Sequence, residues 1–444
     1  MNQAWTRYLP RAMARRLEGR PELQQAISNT GWLFGERILR LALGLALNVW
    51  VTRYLGPERF GLLSYATTFV LLFGSVAQLG LDGIVVRNLV RDPAQRDQIL
   101  GSAFLLKLGG GVLSLALIVL SIGLVRPADP VSRLLVGIIA LGTLFQAFGV
   151  IDCWFQSQVR AKYSAYTRSA VYLAICVAKL VLLLTRAPLV AFAWLGLAEI
   201  ALGSLAFLAA FRISGLRISH WRACGSMARE LIRDSWPLML SDIVMQCYLR
   251  VDKILVGEIA GNSELGIYSV AALLAELLYF IPAAVYPSVF PSIVAARETD
   301  EELFYRRLQR FYNLMAFLAY AVALPVTLLS GWLIPLLFGA AYARAALMLI
   351  GLVWAGIFIN FMIARSQFLT VMNWTRLHFI TDLLGCAVNV GLNLVLIPRY
   401  GAMGAVFASI VSYWFLAHGT CFLFRPLFRT GWMLTRAMFY PKIW

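Results

Sequence analysis

The stretch SWPLMLSDIVMQCYLRVDKILVG, Ser235 to Gly257, is a long apolar run that nevertheless carries Asp242, Arg250, Asp252 and Lys253. About 20 residues at ~1.5 Å each take a helix across the ~30 Å hydrocarbon layer of a bilayer, so a run of this length reads as a membrane span. A charge at that depth costs from ~3 kcal/mol on insertion scales to more than ~10 for isolated helices, and charges that persist there face a partner or a watery cavity. At about 100° per residue, Asp242, Gln246, Arg250 and Lys253 fall within about 80° of arc and make one polar stripe. Asp252 lies off the stripe beside two cations and reads as their local counter-charge.

The rest of the chain has the same apolar character. Of its 444 residues 60% are hydrophobic and the mean hydropathy is +0.75, whereas soluble proteins hold about 45–50% apolar residues. This is the composition of an all-α polytopic membrane protein. The thirteen Trp suit side chains that sit where water meets lipid. The net charge of +17 does not call for a nucleic-acid partner, because the Arg and Lys are spread between apolar runs rather than gathered in a domain. Six cysteines, at 153, 176, 224, 247, 386 and 421, have no metal-ligand or redox spacing and read as buried free thiols. The opening segment MNQAWTRYLPRAMARRLEGRPELQQA is basic and polar, without the pattern of a cleavable signal.

Apolar runs long enough to span predict twelve helices, near 28–52, 61–86, 99–124, 132–155, 164–185, 188–210, 235–257, 266–294, 311–338, 345–371, 377–397 and 402–424. With both termini cytoplasmic, the inside segments hold 26 Lys and Arg against seven in the outside loops, the bias that sets orientation. This divides the chain into a basic segment 1–27, a six-helix lobe 28–210, a basic linker 211–234, a second lobe 235–424 and a basic tail 425–444. Arg7, Arg11 and Arg15 share one helical face opposite Leu9, Met13 and Leu17, which suits either a helix on the anionic inner surface or a disordered basic tail. The tail from Arg425 has the same two readings.

The two lobes read as copies of each other. GPERFGLLSYA from Gly56 aligns with GNSELGIYSVA from Gly261 at an offset of 205, with four identities in eleven: Gly56 and Gly261, Gly61 and Gly266, Ser64 and Ser269, Ala66 and Ala271. Both segments follow an outward-going helix, so the repeat is parallel, with pseudo-two-fold symmetry about the membrane normal and a cavity expected between the lobes. On the first helix Arg37, Arg40, Gly44 and Asn48 fall within about 80° of arc, and that helix is the repeat equivalent of 235–257. The two polar stripes are therefore expected to face one another across a net-positive cavity. Lys107 and Lys179 stand alone on their helices and read either as paired or as cavity-lining, with Asp82, Asp152, Glu199, Asp242, Glu276 and Asp382 as candidate partners.

A cavity rich in guanidinium suits an anion with phosphate geometry, and an apolar wall suits a lipid tail. Enzymatic readings fare poorly. LGGGV at 108–112 lacks the Lys and Ser/Thr of a phosphate-binding loop, the three His at 220, 378 and 418 do not cluster, and the outside loops are too short to hold a glycan polymerase site. No cofactor is called for.

RYLGPERFGLLSYATTFVLLFGSVAQLGLDGIVVRNLVRD, PLMLSDIVMQCYLRVDKILVGEIAGNSELGIYSVAALLAELLYFIP and LIPRYGAMGAVFASIVSYW resemble the bacterial polysaccharide-exporter, or oligosaccharide-flippase, family of the multidrug, oligosaccharidyl-lipid and polysaccharide exporter superfamily. The resemblance runs from Asn29 to Phe424. It implies a two-lobed transporter of the bacterial inner membrane that moves an undecaprenyl-diphosphate-linked sugar unit to the outer leaflet by alternating access, beside a polysaccharide polymerase. Arg250, Asp252 and Lys253 fall in its YxRxDKIxVG pattern. Arg37, Arg40, Arg250 and Lys253 are then expected to hold the diphosphate. Asn48, Lys107, Lys179, Asp242, Gln246 and Asp252 are further cavity or coupling candidates, with proton or sodium coupling through a carboxylate such as Asp242. Moving an anion outward gains ~2.3 kcal/mol per charge per 100 mV. A peptidoglycan-precursor flippase and a cation-coupled multidrug exporter are the alternatives, the latter opposed by the excess of Arg and Lys over acid on the stripes.

Overall fold

The computed structural model describes residues 21–158 and 161–442, with side chains from residue 40 onward apart from a few positions at 161–162 and within 280–291. The segment before residue 21, including the Arg7, Arg11 and Arg15 face, and the side chain of Arg37 lie outside the described residues. Every regular element described is helical: α1 Pro21–Leu72, which breaks at Gly56, α2 Gly74–Gln78, α3 Leu81–Arg91, α4 Arg96–Val125, α5 Pro130–Ala140, α6 Gly142–Phe145, α7 Val150–Ser157, α8 Ala161–Leu184 and α9 Leu189–Ile213. The chain continues through α10 Gly225–Ile259, α11 Asn262–Leu278, α12 Phe280–Thr299, α13 Glu301–Phe338, α14 Ala345–Val371, α15 Thr375–Tyr400, α16 Ala402–Ala417 and α17 Phe428–Phe439. By contact continuity Met1–Trp50 is one unit and Val51–Trp444 another.

Among the described residues nine helical stretches are long and apolar enough to cross a membrane, so this is a multi-pass membrane protein, although the twelve expected spans are not recovered one for one. The expected first and second spans fall in one stretch, Arg40–Arg91, whose helix is interrupted where Leu79 and Gly80 adopt φ of 55° and 63° between α2 and α3. The fourth is built from α5, α6 and α7 with a 3-10 turn at 146–149 and is still one apolar stretch, Pro130–Ser157. The charged stretch 235–257, within α10, is not among the nine, because its charges lower its apolarity. α10 also begins at Gly225, ten residues before the expected span, so the second part of the 211–234 linker is helical.

Among the described residues the two largest apolar clusters lie within the Val51–Trp444 unit. Leu81, Val85, Leu89, Ile99, Val150, Phe155 and Phe211 form one, and Phe304, Phe311, Tyr312, Phe361, Phe368, Leu427 and Leu434 form part of the other. Lipid is as apolar as these side chains, so association of the spans rests on close packing and on buried hydrogen bonds rather than on expulsion of water. The bonds include Asn360 Nδ2 donating to Met315 O at 3.0 Å and Asn389 Nδ2 donating to Ser412 Oγ at 2.9 Å.

Candidate functional site

Helix α10 passes between two sets of neighbours. Its first half meets the segment from α2 to α3, where Ser75 Oγ donates to Asp242 Oδ2 at 2.5 Å and a Cβ on Gly80 would press against Met239 N and Ser235 O. Its second half meets α11. The polar stripe is present, and each member has its own neighbour. Arg250 Nε donates to Gln246 Oε1 at 2.8 Å, one turn earlier, and Lys253 Nζ pairs with Glu276 Oε1 at 2.8 Å. Arg250 itself forms no ion pair with a carboxylate among the described residues.

Asp252 lies off the stripe and bonds toward α11. It is buried, accepts a hydrogen bond from Tyr268 OH and takes the backbone N of Lys253 at 2.7 Å. Among the described residues Arg250 and Lys253 form no salt bridge with it, and its carboxylate turns to Tyr268 of α11.

A second polar cluster surrounds a cavity of about 290 Å³ among α3, α4, α7, α8 and α9. Lys107, only 2% exposed, pairs there with Asp82. Cys153 Sγ donates to the same carboxylate at 3.4 Å. Asp152 Oδ2 accepts from Arg168 Nη2 at 2.5 Å and from Gln156 Nε2 at 2.8 Å, and Glu199 lines the cavity as an exposed carboxylate. Lys107 thus has a partner from the expected set, and Lys179 is half-buried with no hydrogen bond or ion pair among the described residues. Arg40 and Asn48 belong to the Met1–Trp50 unit, and both have interaction partners.

Sequence reasoning missed two arginines. Arg126, counted only as an outside-loop cation, is the centre of a network. Its Nε donates to Glu258 at 2.7 Å, Nη1 to Asn262 at 3.1 Å and Ser132 at 3.0 Å, and Nη2 to Gly257 O at 2.9 Å. Its guanidinium also lies 3.9 Å from the centre of the Tyr65 ring. Arg365, counted as an inside-loop cation, is 1% exposed inside α14, where it donates to Thr420 Oγ1 and, at 3.0 Å, to Thr381 Oγ1.

The repeat did leave a signal at the Arg126 network. Residues 205 apart meet each other there: Ser64 Oγ and Ser269 Oγ are 2.7 Å apart. A Cβ on Gly61 would collide with the carbonyl of Asn262, and one on Gly266 with the carbonyl of Pro57. Pro57 and Asn262 are themselves equivalent under the same offset, so the contact is reciprocal. Just before the crossing, Gly56 and Gly261 take matching backbone angles, φ 70° with ψ 172° and φ 91° with ψ 169°, which only glycine adopts without strain.

Comparison with known proteins places this architecture. A family model described as "Polysaccharide biosynthesis protein" matches residues 26–296. AglR of Haloferax volcanii, named a probable flippase, is 24% identical over 392 residues, 85% of this chain and 79% of AglR. A Shigella flexneri protein named as an O-antigen transporter is 24% identical over 197 residues, 43% of this chain and 45% of that protein. An inward-facing multidrug resistance MATE family transporter of the MOP superfamily superposes with a TM-score of 0.71 at 15% identity, over 90% of this chain and 94% of the other. The Lipid II flippase MurJ in an inward closed conformation gives 0.71 at 16% identity, over 91% and 90%. The chain shares the fold of these two transporters and, with more than half its length matched, belongs to the polysaccharide biosynthesis protein family.

Proposed function

We propose that the protein is a flippase, not an enzyme, which carries an undecaprenyl-diphosphate-linked oligosaccharide from the inner to the outer leaflet of a bacterial inner membrane. The product would feed a surface polysaccharide such as O-antigen, capsule or exopolysaccharide. Arg250 carries this reading: it sits in a membrane-length helix and, among the described residues, has the neutral amide of Gln246 as its one hydrogen-bond partner. A guanidinium held that way remains available to an anion, and its fork matches two phosphate oxygens. Lys253 lies three residues further along the stripe, bound to a Glu276 carboxylate that is 56% exposed, and can exchange it for phosphate. Arg37 and Arg40, on the equivalent face of the first helix, complete the anion site in this reading, while the sugar occupies a wet cavity and the prenyl tail stays in lipid.

Two six-helix lobes, twelve helices in all, are part of the proposal, with both termini cytoplasmic. The reciprocal contacts at an offset of 205 support it, since a pseudo-two-fold axis brings equivalent residues together where it passes through a contact. The same contacts would part when the site opens to the other side. Asp242, bound to Ser75 on a separate helix, is placed to couple that parting to proton or sodium movement.

The test is reconstitution in vesicles with a labelled diphosphate-linked oligosaccharide. Arg250→Ala and Arg37→Ala are expected to slow flipping by about tenfold or more, at least ~1.4 kcal/mol of barrier; folded variants that flip at the wild-type rate remove the anion site. The multidrug transporter and the Lipid II flippase match this fold equally well, so the fold does not choose the cargo. Transport of an organic cation, or of lipid II in preference to the polysaccharide precursor, would sink the substrate assignment.

A further inference from the structure

The tail after Phe424 does more than set topology. Helix α17 buries Thr430, Gly431, Leu434 and Ala437 and is held against the start of α13 by hydrogen bonds. Gln309 Nε2 donates to Met433 O at 3.0 Å, Asn313 Nδ2 to Lys442 O at 2.5 Å and Tyr320 OH to Met438 O at 2.7 Å. Between the two helices lies a cavity of about 460 Å³ whose charged lining is Arg306, Arg310, Arg429, Arg436 and Lys442 against the single carboxylate of Glu302. Its size is that of a small ligand pocket, ~300–1,000 Å³.

Most of this charge is uncompensated. Arg429 stacks 3.3 Å over the Tyr305 ring and reaches Glu301 at 3.7 Å. Among the described residues the side chains of Arg306, Arg310 and Arg436 have neither hydrogen bond nor ion pair. Cations on rigid helices that face the same space repel one another, and an anion with several oxygens relieves that repulsion.

The surroundings say what kind of anion. From Phe311 to Phe338, α13 has no charged residue, so Arg306 and Arg310 mark the place where this span leaves hydrocarbon for water. Beside the cavity α17 exposes Trp432 and Phe439, 64% and 75% accessible, followed by Tyr440 at 60%. Large aromatics there suit the interfacial layer of a bilayer. Basic pockets between helices at such a boundary take phospholipid head groups. We propose that the cleft between α13 and α17 is a head-group site for an anionic phospholipid of the surrounding bilayer, with the lipid phosphate on Arg306, Arg310 and Arg436 and the acyl chains along the exposed aromatics. This site is separate from the stripe on α10 and does not depend on the transport reading.

Native mass spectrometry of the delipidated full-length protein in detergent tests it, with diphosphatidylglycerol, phosphatidylcholine and inorganic pyrophosphate added in parallel. Diphosphatidylglycerol is expected to bind at least about tenfold more tightly than either of the others, and Arg306→Gln/Arg310→Gln/Arg436→Gln to abolish that preference. Among the described residues none of these three side chains bonds to the rest of the protein, so the variant should keep the wild-type melting temperature; if it does not, Arg436→Gln alone should still weaken the lipid adduct about threefold. Equal binding of both phospholipids by the wild type, or an unaltered preference in the folded variants, overturns the site. Pyrophosphate binding as tightly as diphosphatidylglycerol overturns the lipid assignment in favour of a soluble phosphate ligand.

Discussion

Arg126 and Arg250 are the same residue type in opposite circumstances. Arg126, its side chain 10% exposed, donates to two carboxylates, two side-chain oxygens and a backbone carbonyl, and lies over an aromatic ring. Arg250 has one amide oxygen. The first has its donors engaged and ties Glu258 and Asn262 to the turn between α4 and α5, so its role is to hold. The second keeps donor capacity in reserve, which is what a transient ligand needs. The difference predicts that stability and transport respond to different arginines.

The sharpest break would come at the engaged one. Arg126→Ala takes the ion-pair partner from Glu258, while Asp129 keeps Ser132; loss of one partner from a buried pair costs about 3–5 kcal/mol, and the low end is expected because Glu258 is 26% exposed. Thermal unfolding of the purified protein would register this as a large fall in melting temperature. If Arg126→Ala melts like the wild type, the network is not a clasp.

Next in size is the crossing beside it. Gly266→Ala places a methyl group against the carbonyl of Pro57, and backbone cannot yield as a side-chain end does, so a cost of ~1–3 kcal/mol is expected from overpacking. Gly137, where an added Cβ would meet nothing within 4 Å, is the control, and Gly137→Ala should be close to neutral. A cysteine pair at Ser64 and Ser269 offers a second check: cross-linking there is expected to stop flipping while leaving the protein folded, because in the proposed cycle the crossing parts. Flipping that survives complete cross-linking would make the contact static.

Arg250→Ala should reverse the pattern. Gln246 can turn to water or to another partner, so the melting temperature should fall by no more than ~1 kcal/mol of stability implies, while flipping slows about tenfold. A melting loss as large as that of Arg126→Ala would erase the distinction between the two arginines.

Much of this was legible beforehand, for identifiable reasons. The membrane class follows from composition, and the α10 stripe from spacing alone. Gly61, Ser64, Gly266 and Ser269 mark the repeat in the sequence, but their meeting is a finding of the structure, where close backbone approach demands small residues and a repeat places them twice. What escaped was anything decided by a partner distant in sequence. Arg126 lies 132 positions from Glu258, and no local pattern marks such a pair. Arg365 reads as a loop cation near the end of its span, yet two threonines from outside its own helix take hydrogen bonds from its two terminal nitrogens inside the bundle. The pairing of Lys107 with Asp82 was among the open choices, and a helical wheel gives a face without saying which helix it meets.

The smallest effect sharpens the comparison from the other side of the Arg126 network. Burial alone would raise the pKa of Asp129, but Ser132 donates to it through Oγ and, at 3.0 Å, through its backbone N, and Arg126 lies 3.4 Å away, so the net shift is downward. A lowered folded value means that the carboxylate stabilises the fold above the ordinary Asp range near ~3.9 and loses that contribution as pH falls through the folded value. Asp129→Asn should therefore melt slightly below the wild type at neutral pH, by less than Arg126→Ala. The gap should close as the pH is taken below about 4. Because Asp129 is one-third exposed and solvent screens the pair, a gap that stays constant from neutral to acid would show that Asp129 acts through its cap on Ser132 rather than through the charge of Arg126.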